Sequence, residues 1–194
     1  MRSVVMVLAV VRLGAPSGVL VTTRAAAQEP APACGARGSQ QWLATRPSPL
    51  DSATLTVRGT IARICYSRPS ARGRSVDSLV PLRRAWRTGA NEPTTITLTG
   101  PLNIGGAVLE RGRYVILTVP QAERWMLVFH TTPDTEPAKM FATLTQVASG
   151  GGPVERLARP IEQFTIRPAP DSMEAAFILE WGERRVRVPV RSVP

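Results

Sequence analysis

Apolar and polar residues alternate with a period of two over much of the chain beyond Leu50, the pattern of strands with one buried face. Leu55 and Val57 alternate with Thr54, Thr56 and Arg58. Gly59 breaks that run, and Thr60 to Tyr66 forms the next. Thr94 to Thr99 alternates strictly, with Ile96 and Leu98 on one face and Thr95, Thr97 and Thr99 on the other. A short strand at 107–110 lies between the turn signals Gly105-Gly106 and Arg111-Gly112. Tyr114 to Val119 is almost continuously apolar, as a central strand would be, and Pro120 ends it. In Arg124 to Thr131, Trp125, Leu127 and Phe129 face one way and Met126, Val128 and His130 the other. Residues 132–153 are ambiguous: Ala138 to Val147 suits a short helix or an edge strand, and Gly150-Gly151-Gly152 reads as flexible. Three runs close the chain, Ile161 to Arg167, Ala175 to Trp181 and Arg184 to Val190, with Gly182-Glu183 read as a tight hairpin joining the last two.

About nine short strands at regular spacing, with no helix of comparable strength, predict an all-β fold. The expected architecture is an antiparallel β-sandwich, jelly-roll-like, interrupted by one long loop rich in Arg, Gly and Pro at 67–93. A length of 194 residues suits a single domain, placed at 51–194 after an irregular, Pro-containing lead-in at 28–50. Residues 1–27 read as an export signal. Arg2 supplies positive charge, Val4 to Val11 and Gly18 to Val21 are apolar, and Ala25-Ala26-Ala27 offers a cleavage site, although Arg12 interrupts the apolar region. The expectation is an exported protein, periplasmic or extracellular. No apolar run approaches the roughly 20 residues of a membrane span.

The formal charge of +10 is carried almost wholly by arginine, since Lys139 is the only lysine. The arginines are dispersed rather than gathered in a run, so no nucleic-acid partner is expected. Cys34 and Cys65 permit one disulfide in an oxidising compartment, tying the lead-in to a strand; free thiols are the alternative. Ala31-Pro32-Ala33 lacks the aliphatic residue of a lipidation site, which argues against a lipid anchor at Cys34. One histidine, His130, and two distant cysteines supply no usual zinc ligand set, and neither a metal nor a cofactor is expected. No serine stands in a G-x-S-x-G context, and Gly150-Gly151-Gly152 runs into Pro153 rather than a phosphate-loop lysine.

Two stretches stand out. One is Tyr66-Ser67-Arg68-Pro69-Ser70-Ala71-Arg72-Gly73-Arg74. The other is Leu79-Val80-Pro81 followed by Ala85-Trp86-Arg87-Thr88-Gly89-Ala90-Asn91-Glu92-Pro93-Thr94-Thr95. Together they resemble the signature of the family catalogued as domain of unknown function 2911. The likeness continues through Ile104-Gly105-Gly106, Gly112-Arg113-Tyr114, Glu162-Gln163-Phe164 and Leu179-Glu180-Trp181. Arg83-Arg84 departs from the Gly-Lys-like pair common there, and Cys65 replaces a charged or small residue. The resemblance implies a secreted or periplasmic bacterial protein and carries no settled activity.

The motif residues offer two kinds of chemistry. Arg68, Arg72, Arg74 and Arg87 present forked donors for carboxylate or phosphate, Asn91 an amide and Glu92 a carboxylate, and Trp86 and Tyr66 flat faces. Read as a site, Tyr66, Arg68, Arg74, Trp86, Arg87, Asn91 and Glu92 would bind a small polar or anionic ligand. Read as structure, the same groups satisfy the backbone of a long loop, with Arg87–Glu92 and Arg74–Asp77 as internal ion pairs. Three functions remain open: an extracytoplasmic binding module, a hydrolase or isomerase acting on a sugar-like or acidic substrate with Glu92 as acid/base, and an envelope structural or interaction protein. A carboxylate pair drawn from Glu92, Asp77 and Glu180 would serve the second.

Overall fold

The computed structural model describes residues 33–35, 39–169 and 174–194. Residues 1–27, read as an export signal, lie outside them. Nine strands are formed: β1 (Leu50–Val57), β2 (Thr60–Ser67), β3 (Thr95–Leu98), β4 (Leu102–Ile104), β5 (Ala107–Leu109), β6 (Gly112–Pro120), β7 (Arg124–Thr131), β8 (Thr145–Ala169) and β9 (Ala176–Ser192). Three short helices accompany them, α1 (Gln40–Thr45), α2 (Val76–Leu79) and α3 (Pro137–Met140). The hydrogen-bonded order is β1-β2-β3-β6-β7-β8-β9-β4-β5, and every pairing is antiparallel. The fold is all-β, as the alternation predicts.

Two strands are far longer than the sequence pattern suggests, and they turn the series back on itself. The first part of β8 pairs with β7, through Thr145 to Pro153, and the rest pairs with β9. The far end of β9 then pairs with β4. As a result β1 lies against β8 and β9, and β5 against β8. The layers face each other across one core, sandwich fashion, with Leu55, Ile64, Ile96, Ile116, Leu127, Phe129, Phe164, Phe177, Leu179 and Val188 inside. Alternation explains each inner face: in β1, for instance, Ala53 and Leu55 are buried while Thr54 and Thr56 are exposed.

Several expectations are corrected. Gly182-Glu183 is not a hairpin; β9 runs straight through it, and the reversal lies between Ala169 and Ala176. Gly182 has φ +57°, and a Cβ there would sit 2.8 Å from Cγ2 of Val76. This glycine therefore marks a close approach of the long loop rather than a turn. Gly150-Gly151-Gly152 is not flexible: all three are buried within β8. Glycine is required because β8 crosses β4, β7 and β9 at backbone contact. A Cβ on Gly150 would overlap the Ile104 carbonyl oxygen, one on Gly151 that of Trp125, and one on Gly152 that of Arg187. The ambiguous stretch resolves into both alternatives in succession, α3 and then the start of β8. The lead-in is less irregular than its prolines suggest, since α1 forms with Ser39 as N-cap, its hydroxyl accepting from the Trp42 N–H at 3.2 Å. Strand β4, only three residues long, was too short for periodicity to reveal.

Candidate functional site

The loop between β2 and β3 is held from within. Four of its residues take positive φ without being glycine: Arg72 (+52°), Arg83 (+63°), Thr88 (+58°) and Asn91 (+58°). A left-handed threonine is strained, because its branched Cβ crowds the backbone. Thr88 is fully buried and over-determined by bonds. Its hydroxyl donates to the Ile116 carbonyl (3.1 Å) or shares a proton with Thr118 Oγ1 (2.7 Å), and its own carbonyl accepts from the Thr94 hydroxyl (2.9 Å). Trp86 and Thr118 exchange both backbone hydrogen bonds, 2.7 and 2.8 Å, so β6 gains a one-residue partner in the loop. A Cβ on Gly89 would lie 2.8 Å from the Ser67 carbonyl oxygen, which accounts for glycine in that place.

The earlier half of the loop is stitched to β8. Ala71 N–H donates to the Glu162 carbonyl and Phe164 N–H to that of Pro69, both at 2.9 Å, and Ser70 bridges Gln163. Arg68 sends Nε to the Phe164 carbonyl (3.2 Å) and Nη2 to Thr165 Oγ1 (2.8 Å), while Nη1 stands 3.3 Å from Asp51 Oδ2. Tyr66 is buried. Its hydroxyl accepts from the Ile166 N–H at 2.8 Å and donates toward the Ile166 carbonyl at 3.1 Å. Burial pushes its pKa up to about 12, so it stays a neutral phenol. Trp86 stacks on Trp181 (centroids 5.6 Å) and meets Trp125 and Phe164 edge-on, so its face is spent on packing.

Glu92 pairs with Arg46 rather than Arg87. Arg46 Nη1 donates to Oε1 at 2.7 Å, Ser67 Oγ donates to Oε2 at 2.9 Å, and Arg46 Nη2 reaches Ser67 Oγ at 2.8 Å. The Arg46 side chain is fully buried and that of Glu92 is 12% exposed. Burial alone would raise the Glu92 pKa, but the Arg46, backbone and Ser67 hydrogen bonds outweigh it and hold the carboxyl below its ordinary value. A general acid needs the opposite shift and a free oxygen. The same holds for Glu180: burial would raise its pKa, but Arg167 and Arg185 hold it down. Asp77 pairs with Arg184 at 2.6 Å, not with Arg74. The three carboxylates considered as a catalytic pair thus sit in three separate ion pairs. Arg87 donates to the Asn91 carbonyl (3.2 Å) and lies over the Phe141 ring, and the Asn91 amide donates to the Ser48 carbonyl (3.4 Å). Arg74 donates through Nε to the Ala71 carbonyl at 3.1 Å and alone among the seven lines the larger of two cavities. The motif residues do not converge on one point.

The larger cavity, about 810 Å³, opens where β8 parts from β9. Arg156 pairs with Arg184, but the next matched positions are Ile161 and Gly182, so β8 carries extra residues over this span. Such bulges recur beside functional sites because they re-aim side chains. The walls include Arg74, Asp77 and Val76 of the loop, Glu123 of the β6–β7 turn, Arg156, Ile161 and Glu162 of β8, and Arg184 of β9. Arg184 Nη2 holds Asp77, yet Nη1 is buried and no acceptor among the described residues reaches it. Arg184, Arg156, Glu162 and Glu123 were missed from sequence. A signal existed for Arg184: it shares parity with the buried Val186, Val188 and Val190, which puts an arginine on an inward face.

A second cavity, about 340 Å³, lies behind the Cys34–Cys65 disulfide, bounded also by Leu50, Glu92, Thr95, Arg113 and Met140. The disulfide is formed, with Cα atoms 5.5 Å apart and a sequence separation of 31. Closing a loop of that size stabilises by about 4 kcal/mol. Reduction of the native protein is expected to lower its melting temperature by roughly 8–16 °C. Melting with and without a phosphine reductant checks this, and equal curves would show that the bond adds nothing. His130 is buried at the end of β7, its Nδ1 without a partner among the described residues. No group of three or more metal-ligating side chains occurs among the described residues, and none of their helices is long and apolar enough to cross a membrane.

No curated protein and no solved structure matches the chain. A family model described as protein of unknown function (DUF2911) matches residues 48–190. That span runs from the residue before Pro49, whose carbonyl receives the Arg68 N–H, to Val190, the first residue of β9 that pairs with β4. It includes the whole stitched loop, all of β8 and β9 up to Val190, and by it the chain belongs to the DUF2911 family.

Proposed function

We propose that this protein is an extracytoplasmic small-ligand-binding module whose site is the cleft between the Arg74–Asp77 segment and the parted β8 and β9, and that the W-R-T-G-A-N-E run is the lock that shapes it. The observation that carries this reading is Arg184 Nη1, a buried guanidinium nitrogen on the cleft wall without an acceptor among the described residues. An unmatched buried donor of this kind costs about 1–3 kcal/mol, more when charged. A ligand oxygen reaching Nη1 would recover that energy. The cleft volume falls in the range typical of small-molecule sites. The export signal and the disulfide support an oxidising compartment outside the cytoplasm.

The test is a thermal-shift screen of the purified protein with sugars, carboxylic acids, amino acids and inorganic phosphate. A compound present at about 100 times its Kd adds about 2.7 kcal/mol, a rise of roughly 5–10 °C. That rise is expected to vanish in Arg184→Gln. A shift that persists in the variant places the site elsewhere, and no shift from any compound removes the proposal.

A further inference from the structure

The charges lining the cleft narrow its ligand. Asp77 is occupied by Arg184 and Glu183 by Arg156, each at 2.6 Å. Glu162 gives Oε1 to the Arg72 backbone N–H at 2.6 Å. With these bonds set aside, donors remain on the lining: the terminal nitrogens of Arg74, whose Nε alone is bonded, Nη1 of Arg184, and Nη1 of the exposed Arg156, which is bonded through Nη2. Acceptors also remain: the second oxygens of Asp77, Glu183 and Glu162, and the whole carboxylate of Glu123, which makes no ion pair or side-chain hydrogen bond among the described residues.

A simple anion would meet the arginines but also the unpaired Glu123. A simple cation would meet the reverse. A sugar is commonly held against an aromatic face, and no aromatic residue lines this cleft. The apolar wall is aliphatic instead: Val76, Val154, Pro160 and Ile161. Donors, acceptors and an aliphatic surface together match a molecule with one carboxylate, one ammonium and an apolar side chain.

Resting on the binding function proposed above, we infer that the cleft takes a small zwitterion, a free apolar amino acid or a short peptide with both ends unblocked. Its carboxylate meets Arg184 Nη1 and Arg74, its ammonium meets Glu123, and its side chain lies on Val76, Val154 and Ile161.

Titration calorimetry on the intact protein tests this with leucine, leucyl-leucine, N-acetyl-leucine, leucinamide, glucose and inorganic phosphate. Leucine or leucyl-leucine is expected to bind, with the tighter of the two telling a free amino acid from a peptide. Blocking either end is expected to weaken binding at least tenfold. Glu123→Gln, an exposed change with no bond to lose, is expected to weaken the zwitterion about tenfold and leave the binding of leucinamide's blocked counterpart, N-acetyl-leucine, unchanged. Arg184→Gln is expected to weaken every carboxylate-bearing ligand. Binding of glucose or phosphate that depends on Arg184, without binding of either zwitterion, overturns the ligand class while the cleft remains the site. Binding of nothing in the set overturns both.

Discussion

Gly152→Ala is expected to cost about 4 kcal/mol or more and to leave little folded protein at 37 °C, because its methyl group would have to occupy the space of the Arg187 carbonyl oxygen. The obstacle is backbone on the paired strand, not a side chain that can rotate away, and Gly152 does not have the positive φ that Gly151 has. The cost is therefore steric and not conformational. Gly73→Ala is the matching control. Gly73 has φ +73° and open space around its Cβ direction, so that change is expected to cost only about 1–2 kcal/mol of backbone strain. Urea unfolding of both variants decides the matter. If Gly152→Ala is no worse than Gly73→Ala, the close crossing of β8 over β9 is not a constraint on the fold.

The second large effect is expected at Arg46. Its removal leaves Glu92 charged and largely buried, and breaking a buried pair from one side typically costs about 3–5 kcal/mol. Some exposure of Glu92 puts Arg46→Ala at the lower end, about 3 kcal/mol. The pH dependence carries a definite sign. Glu92 has a folded pKa below its ordinary value of 4.5, so its contribution is complete above that value and is lost as pH falls through the folded pKa. Arg46→Ala abolishes that contribution. The gap in stability between wild type and variant is thus expected to be widest near neutral pH and to narrow on acidification below 4.5. Denaturant melts at several pH values measure the gap directly. A gap that stays constant with pH would mean Arg46 acts through packing alone. Glu180, held by Arg167 and Arg185, loses its contribution over the same acid range in both proteins and so cancels from the difference.

The strands were legible where one face is buried and the other wet. Thr54 to Val57 and Arg124 to Thr131 announce themselves because alternation follows directly from the pleat. The lengths of β8 and β9 were not legible, since glycine speaks for a turn in a one-dimensional reading. At Gly150 to Gly152 it instead permits one backbone to pass close to another, and at Gly182 it makes room for the Val76 side chain, which only the assembled fold reveals. The motif was legible as something unusual but not as what it is. Arg68, Trp86, Arg87 and Asn91 look the same on paper whether they reach for a ligand or for a carbonyl of Phe164, a ring of Trp181 or the backbone of Ser48. Arg46 gave no signal at all, standing alone before Pro47 and coupled to a carboxylate 46 positions away. Long-range pairs of this kind are invisible to any local pattern.

Strand β8 belongs to two neighbours in turn, first β7 and then β9, and β9 passes on to β4. Neither layer of the sandwich owns its strands outright, so neither can melt while the other stays intact. Sub-global opening, in which one cooperative unit exchanges its amide protons ahead of the rest, is confined to what lies outside this shared pair, such as β5 at the end of the series and α1 ahead of β1. The cleft sits on the shared pair itself, at a span where β8 and β9 separate. A ligand bound there would be gripped by the part of the molecule that yields last.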